Sequence, residues 1–441
     1  MYNIKKFYLP LAISLVLISI FTCFRPYYED ASLSSYTSSI NDSEELTFYV
    51  ASDIHYLSKE LTDYGEAFNK FKSSGDGKQI DYITEIFDTF SEEVISNKPD
   101  FLVISGDLTL NGEKKSHEEI SSKLRNIKDS GIPIYVIPGN HDINNPWARE
   151  FNNEKQIKTD YISKDDFLNF YNDFGYKDAI SRDKYSLSYL AAPSNKIWLL
   201  MIDDNNYNNN ISLKYPESNG FISKNTLNWI NSCGKLAKEK GAKIIAVSHH
   251  NVINHSDYIY SGFTIDNNED VIKCFESCNI NLSLSGHIHF QSIKNYKNNS
   301  YTLSEIASSS LANYPQKYGV IKISKDNCLS YKTNKLDMSK FRSDFSEYSK
   351  NSYKDFIYNQ NFNKLSYTDT YTADELRSMC ETICNIRLKY DDTLDELSWS
   401  DIVSCNGFYL LKSCTSPYIK HYLKIASDGN EMENNTYYMN L

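Results

Sequence analysis

The apolar residues of this chain fall in short dense runs separated by longer amphipathic stretches. Leu46-Thr47-Phe48-Tyr49-Val50, Phe101-Leu102-Val103-Ile104 and Ile134-Tyr135-Val136-Ile137 are runs of the kind that form buried strands. Between them, Ile83, Ile86, Phe87, Phe90 and Val94 recur at helical spacing, as do Ile120, Leu124 and Ile127. Strand, helix, strand, helix, strand predicts an α/β sheet with covering helices. Further strands are predicted at 197–202, 244–247 and 280–284, and a helix over 225–239. Alternating runs at 300–303 and 319–323 predict antiparallel strands that close a second sheet.

Two polar, aromatic-rich stretches, 56–79 and 143–183, interrupt this pattern. Each follows a strand end that carries reactive side chains, so both are expected on the rim of a binding cleft. Beyond residue 336 the strand signals fade. Helical spacing takes over, as in Leu376, Met379, Cys380, Ile383 and Leu388. The expected organisation is an α/β domain over 45–335 and a separate, mainly helical domain over 336–441.

The first residues read differently. Lys5 and Lys6 precede an apolar run from Phe7 to Phe24, the pattern of a signal peptide or membrane anchor over 1–24. Export follows from it, with the folded part held at the outer face of the cell membrane or released. Cys23 at the end of the run offers a lipid-attachment site, although Ile20-Phe21-Thr22 before it lacks the small residues such a site favours. A lipoprotein, an uncleaved anchor and a freely secreted form are the three readings. Residues 25–44 lack apolar periodicity and read as a tether.

Charge narrows the partners. With 46 basic and 57 acidic residues the formal net charge is −11, which offers no basic field for a nucleic-acid polymer. A small phosphorylated ligand stays compatible, because a metal site supplies its own positive charge. Hydrophobic and charged contents of 41% and 23% exclude wholesale disorder. Of the nine cysteines, Cys274/Cys278 and Cys380/Cys384 are spaced i, i+4, which suits neither a zinc knuckle nor an easy disulfide. Most of the cysteines are read as buried thiols.

Five blocks carry the chemistry, each where an apolar strand ends: Asp53-Ile54-His55, Gly106-Asp107, Gly139-Asn140-His141-Asp142, His249-His250 and Gly286-His287-Ile288-His289. Residues at the carboxyl ends of strands in such a sheet converge on one crevice. Carboxylate, imidazole and amide donors together suit Mn, Fe, Zn or Ni rather than a thiolate zinc site.

This ordered set resembles the calcineurin-like metallophosphoesterase superfamily. Gly106-Asp107-Leu108-Thr109, the block at 139–142 and the His249-His250 doublet look like class III 3′,5′-cyclic-nucleotide phosphodiesterases. An exported N-terminus with a helical C-terminal domain is similar to a bacterial lipoprotein subgroup of those enzymes. The resemblance implies a four-layer α/β/β/α sandwich over 45–335. It implies two transition-metal ions, Mn or Fe first and Zn as a further option. Asp53, His55, Asp107 and His289 would hold one ion, and Asp107, Asn140, His249 and His287 the other. The implied reaction is hydrolysis of a small phosphodiester, a nucleotide first, by a water readied between the ions, with His141 protonating the leaving oxygen. A phosphomonoesterase or nucleotidase, a lipid-headgroup diesterase and an exported scaffold with a disused site are the competing functions.

The neighbouring residues carry plainer expectations. His250 is expected to orient the site or to pack, His117 to be a structural hydrogen-bonder, and His255 and His421 to lie at the surface, with substrate contact as the alternative for His255. Asp142 is expected to orient His141 or to cap a turn. Trp147 and Arg149 are expected to pack the 143–183 insert, with base and phosphate contacts as the alternative.

Overall fold

The computed structural model describes residues 45–368, 370–392, 398–429 and 434–441. The expected signal and tether, 1–44, lie outside the described residues.

The strands follow in chain order as β1 (Leu46–Ala51), β2 (Phe101–Ile104), β3 (Ile134–Val136), β4 (Arg149–Asn152), β5 (Lys155–Lys158), β6 (Ser181–Arg182), β7 (Tyr189–Ala191), β8 (Ile197–Met201), β9 (Lys243–Val247), β10 (Leu282–Ser285), β11 (Ser292–Lys297), β12 (Thr302–Ala307), β13 (Lys317–Ile323), β14 (Cys328–Lys335) and β15 (Thr436–Asn440). One sheet has the order β15-β14-β13-β1-β2-β3, and a second the order β11-β12-β10-β9-β8-β7-β6. Strands β4 and β5 form a separate hairpin.

The helices are α1 (Glu66–Ser74), α2 (Ile83–Asn97), α3 (Lys114–Asp129), α4 (Lys164–Tyr171), α5 (Asn210–Leu213), α6 (Lys224–Lys240), α7 (Asn268–Cys278), α8 (Phe345–Leu365), α9 (Ala373–Asp392), α10 (Trp399–Ser404), α11 (Asn406–Leu411) and α12 (Pro417–Asp428). Local chemistry sets their ends. At α6, the Ser223 hydroxyl accepts from the Thr226 N–H, and Gly241 ends the helix with φ of 70°.

The period of two along β8 shows how the layers form. Ile197, Leu199 and Met201 join the core that holds β1, β2, α2 and α3, whereas Trp198 and Leu200 join the core under α6 and α7. A sheet that buries both faces needs a layer on each side, and the result is the four-layer α/β/β/α sandwich. Tyr353, Met379, Ile383, Leu411 and Ile419 form a further core in the helical C-terminal region.

Strands β4, β5, β6, β7, β11 and β14 were not predicted from sequence, and two further departures change the sheets themselves. The runs at 300–303 and 319–323 do not close one sheet together. Strand β12 lies in the second sheet, while β13 pairs antiparallel with β1, Phe48 opposite Ile321. Apolar alternation identifies strands but carries no information on which sheet receives them. The chain also ends in a strand: β15 pairs with β14 and extends the first sheet, beyond the helices predicted for that region. Eight cysteines, Cys233 to Cys414, are free; Cys328 is exposed on β14, and Cys278, Cys405 and Cys414 are only half-buried.

His117 is fully buried on α3. Its Nδ1 lies 2.7 Å from the Tyr171 hydroxyl, and its Nε2 lies 3.0 Å from the Asp142 carbonyl oxygen. Burial pushes its imidazole down to about 3. The unfolded chain takes up this proton near pH 6.5, and the folded chain only near the lower value. Stability is therefore present above pH 6.5 and lost as pH falls toward the folded value, by up to roughly 4–5 kcal/mol. His117→Gln is expected to reduce the proton uptake on unfolding between pH 6 and 4 by nearly one per molecule. Urea midpoints against pH measure it, and an unchanged slope would refute this origin.

Candidate metal centre

Each of the five blocks leaves its strand through a tight turn, and the turns converge between the two sheets. Close approach requires two of the glycines. A Cβ on Gly139 would collide with Asp107, and one on Gly286 with Ser52 and Asp53. The turns also bend side-chain-bearing residues into the left-handed region. Asp53, His55, Asp107, His287 and His289 have φ of 52°, 49°, 50°, 68° and 61°. Such backbone costs about 1–3 kcal/mol per residue and persists where the surrounding structure enforces it, commonly at functional sites.

The convergence gathers two donor groups. Asp53, His55, Asp107 and His289 form one and Asp107, His249 and His287 the other, each with one ligand atom per residue within 4.8 Å of the rest. Asn140 joins the second, its Oδ1 3.1 Å from His249 Nε2. Asp107 belongs to both groups. All seven predicted donors are thus brought together, and His141 lies beside them with its ring edge-on to His55 at 5.1 Å.

These donors fit metal ions. The Asp53 Oδ1 atom is buried without a hydrogen-bond donor. His55 Nε2 faces His289 Nε2 at 3.1 Å, and His249 Nε2 faces His287 Nδ1 at 3.2 Å. Ring nitrogens at that separation match the edge of a coordination shell with bonds of about 2.0–2.2 Å. On three of the rings the other nitrogen is engaged outside the cluster. His249 Nδ1 lies 2.9 Å from the Ser105 carbonyl, His287 Nε2 2.7 Å from the Gly262 carbonyl, and His289 Nδ1 3.3 Å from Asp76 Oδ2. Such partners fix the tautomer and turn the free nitrogen inward.

The field of the cluster favours cations. Burial alone would raise the Asp107 carboxyl, but His249 and His141 beside it hold it well below the usual range. Burial would lower His249 and His289, yet Asp107 lifts the first to about 10 and Asp53 the second to about 9. Protons thus gather where positive charge is most stabilised.

Asp76 was not singled out from sequence; its only local signal is its place between Gly75 and Gly77 in the 56–79 insert. Its Oδ2 also accepts from Lys78 Nζ at 2.6 Å. Asp76→Asn removes the charge behind His289 and is expected to weaken metal binding by about 10–100-fold. Chelator competition measures this, and unchanged affinity would mean that Asp76 does not orient His289.

The remaining expectations divide. His250 lies outside both groups: its N–H donates to Asp204 Oδ2 at 3.0 Å, and its ring packs on His287 at 4.2 Å. Asp142 accepts from the backbone N–H groups of Leu108, Thr109 and Gly139, so it ties two turns together. Asn111, not Asp142, meets the His141 side chain, with Oδ1 3.1 Å from Nδ1. His255 and His421, expected at the surface, are buried. The first lies 3.4 Å from Glu305, and the second lies 3.0 Å from the Ser256 hydroxyl. Packing of the helical region on the loop after His249 encloses both. Trp147 and Arg149 do not simply pack the insert. They line a cleft of about 430 Å³ together with His141 and Lys78.

The family model for Calcineurin-like phosphoesterase matches residues 46–291. The chain belongs to that family. Calcineurin-like phosphoesterases are metal-dependent phosphoric ester hydrolases, and the donor cluster is a dinuclear candidate site for the two ions such enzymes use. A stretch of this phosphoesterase is 43% identical over 54 residues to the probable glycerophosphodiester phosphodiesterase GpdQ of Arcobacter nitrofigilis, covering 12% of the chain. The match spans only 19% of that relative's length. Among solved structures, the phosphoesterase is similar to a dimetal phosphatase from Danio rerio, with 12% identity and a TM-score of 0.47 over 66% of this chain and 96% of that one. It is also similar to a putative 5′-nucleotidase from Staphylococcus aureus, with 14% identity and a TM-score of 0.39 over 71% of this chain and 58% of that one.

Proposed function

We propose that this phosphoesterase hydrolyses phosphodiesters, with 3′,5′-cyclic nucleotides the first substrates to test. One observation carries the choice of diester over monoester. The donor cluster is flanked by two cavities, the cleft beside His141 and a smaller one of about 180 Å³ beside His289, with Asp76 in the wall of both. A phosphodiester presents organic structure on two of its oxygens, and a monoester on one.

Asp53, His55, Asp107 and His289 would hold one ion, and Asp107, Asn140, His249 and His287 the other. Bound there, such ions ready a water for attack and offset the charge on the phosphoryl group. His141 has its Nδ1 engaged by Asn111, which leaves Nε2 to protonate the departing oxygen. Lys78 and Arg149 bring positive charge to the same cleft, which suits an anionic substrate. A glycerophosphodiester is the second reading, favoured by the 54-residue similarity to the probable glycerophosphodiester phosphodiesterase GpdQ. We place the activity at the outer face of the cell membrane, on the strength of Lys5, Lys6 and the apolar run to Phe24. Membrane fractionation of wild type and Cys23→Ser tests that placement; equal solubility without a membrane fraction would count against it.

Turnover of bis(p-nitrophenyl) phosphate, p-nitrophenyl phosphate, cyclic AMP and glycerophosphocholine by the metal-loaded protein tests the reading. Faster hydrolysis of diesters than of the monoester is expected. A preference for p-nitrophenyl phosphate would make the protein a monoesterase. Bound metal with no turnover at all would make it a scaffold.

A further inference from the structure

Glu113 is a fully buried acid that belongs to neither donor group. It stands at the N-cap of α3, where a side-chain oxygen can accept from the first helical N–H groups. Its side chain makes no such cap. It turns back along the chain instead, and Oε2 accepts the backbone N–H of Asn111 at 2.9 Å. Oε1 is buried without a donor. Burial pushes the carboxyl up to about 7, against the pull of the Asn111, Glu113 and Arg149 N–H groups. Acidic side chains are almost never buried so completely unless paired, and a buried oxygen without a donor forfeits its hydration. Helix capping does not account for this one.

The bond to Asn111 acts on the cleft. Asn111 Oδ1 lies 3.1 Å from His141 Nδ1, and both residues line the cleft beside the donor cluster. The turn from Asn111 to Glu113 is pressed on the same segment. A Cβ on Gly112, where φ is 72°, would come within 2.9–3.0 Å of the carbonyl oxygens of Asp142 and His141. On its other side Glu113 pairs with Tyr161, and Lys114 donates its N–H to the Asp160 carbonyl at 2.8 Å. The Glu113 carboxyl thus fixes a short turn at the point where the Asn111 side chain leaves it.

The tautomer gives this placement a chemical meaning. An amide oxygen only accepts, so His141 Nδ1 carries a hydrogen in both protonation states. The second proton of the imidazolium is then on Nε2. When Nε2 releases it, the neutral ring left behind is the Nδ1–H tautomer that Asn111 already holds. With Asn111 displaced, the neutral ring is free to carry its hydrogen on Nε2 and to turn out of line.

We infer that Glu113 is a positioning residue for hydrolysis: its carboxyl fixes the Asn111 backbone, and Asn111 holds the His141 ring with Nε2 toward the cleft. The inference rests on the proposed acid role of His141 for its effect on rate, but not for the placement of the ring. A carboxyl accepts through one oxygen whether or not it is ionised, so the turn requires an acceptor there and not a charge.

Glu113→Gln keeps an acceptor of the same reach, and Glu113→Leu keeps only the bulk. Both are made in the full metal-loaded chain, alone and with His141→Ala. Glu113→Leu is expected to keep both ions and to lower kcat on an alkyl diester (cyclic AMP or glycerophosphocholine) by about 10–100-fold, with little change in KM. The loss on bis(p-nitrophenyl) phosphate should be smaller, because its leaving group departs without a proton. Glu113→Gln is expected to recover most of the rate. In the His141→Ala background Glu113→Leu should add no further loss. A loss that adds in full to that of His141→Ala, or no loss at all, overturns the positioning. Equal losses on both substrates with a non-additive cycle overturn the acid role of His141 and leave the positioning standing. Ring-nitrogen NMR of the zinc-loaded chain at mildly alkaline pH reads the tautomer without turnover. The His141 ring, assigned by its absence in His141→Ala, is expected as Nδ1–H in wild type and Glu113→Gln but not in Glu113→Leu. Retention of Nδ1–H in Glu113→Leu overturns the inference. Its loss there, with no diester turnover by wild type, overturns the diesterase reading alone. Should Glu113→Leu fail to fold, Glu113→Asp, whose carboxyl falls a methylene short of Asn111, takes its place under the same expectations.

Discussion

Asp107→Ala is expected to abolish turnover and to lower the metal content from two ions to one or none per chain. The reason is positional. Asp107 is the one side chain common to both donor groups. Its Oδ2 lies 3.6 Å from His55 Nε2 in the first group and 3.5 Å from His249 Nε2 in the second. A carboxylate has two oxygens, but a single deletion removes it from both sites at once. The substitution also strips the negative charge that favours positive charge at His249. Elemental analysis after desalting, with bis(p-nitrophenyl) phosphate turnover, measures the outcome. Two tightly bound ions and normal rates in this variant would overturn the assignment of the donors. Circular dichroism separates that result from misfolding, because Asp107 also accepts the His141 N–H through Oδ1 at 2.9 Å.

His141→Ala is expected to leave both ions in place and to slow turnover by about 10²–10⁴-fold. The His141 side chain belongs to neither donor group, and alanine retains the backbone N–H that Asp107 accepts. What disappears is an imidazole held at Nδ1 by Asn111 and open to the cleft. The leaving group provides a sharper readout. An aryloxide departs without protonation, whereas an alkoxide needs it. The loss should therefore be larger for cyclic AMP than for bis(p-nitrophenyl) phosphate. Equal losses on both substrates would assign His141 to phosphate binding. Loss of metal would place it among the ligands.

Much of the site was legible because its chemistry is local to strand ends. Asp53, His55, Asp107, Asn140, His249, His287 and His289 each sit one to a few residues past an apolar run, and the glycines before several of them announce the turns. The choice of His249 over His250 was less legible, since adjacent imidazoles look alike in sequence. The backbone decides it: the His249 ring reaches Asn140 and His287, while His250 turns toward Asp204 and the Ser218 carbonyl. Asp76 was invisible for a different reason. It lies in a polar insert without periodicity, and its role exists only because that insert folds back over His289 and against α8. Gly77 marks the contact, since a Cβ there would meet Phe356 and Tyr353 at 2.9–3.0 Å.

The sequence by itself determined the five strands that carry the donors, the helices α2, α3 and α6, the donor types and the family, because burial period and turn chemistry are properties of neighbouring residues. Only the tertiary structure decided which sheet takes β13 and β15, that His255 and His421 are enclosed, and that α8 and α12 wall a cavity beside the donor cluster. Those facts depend on surfaces meeting across hundreds of residues. The free energy of such contacts resides in shape and in the pairing of buried polar groups, and neither leaves a periodic trace along the chain.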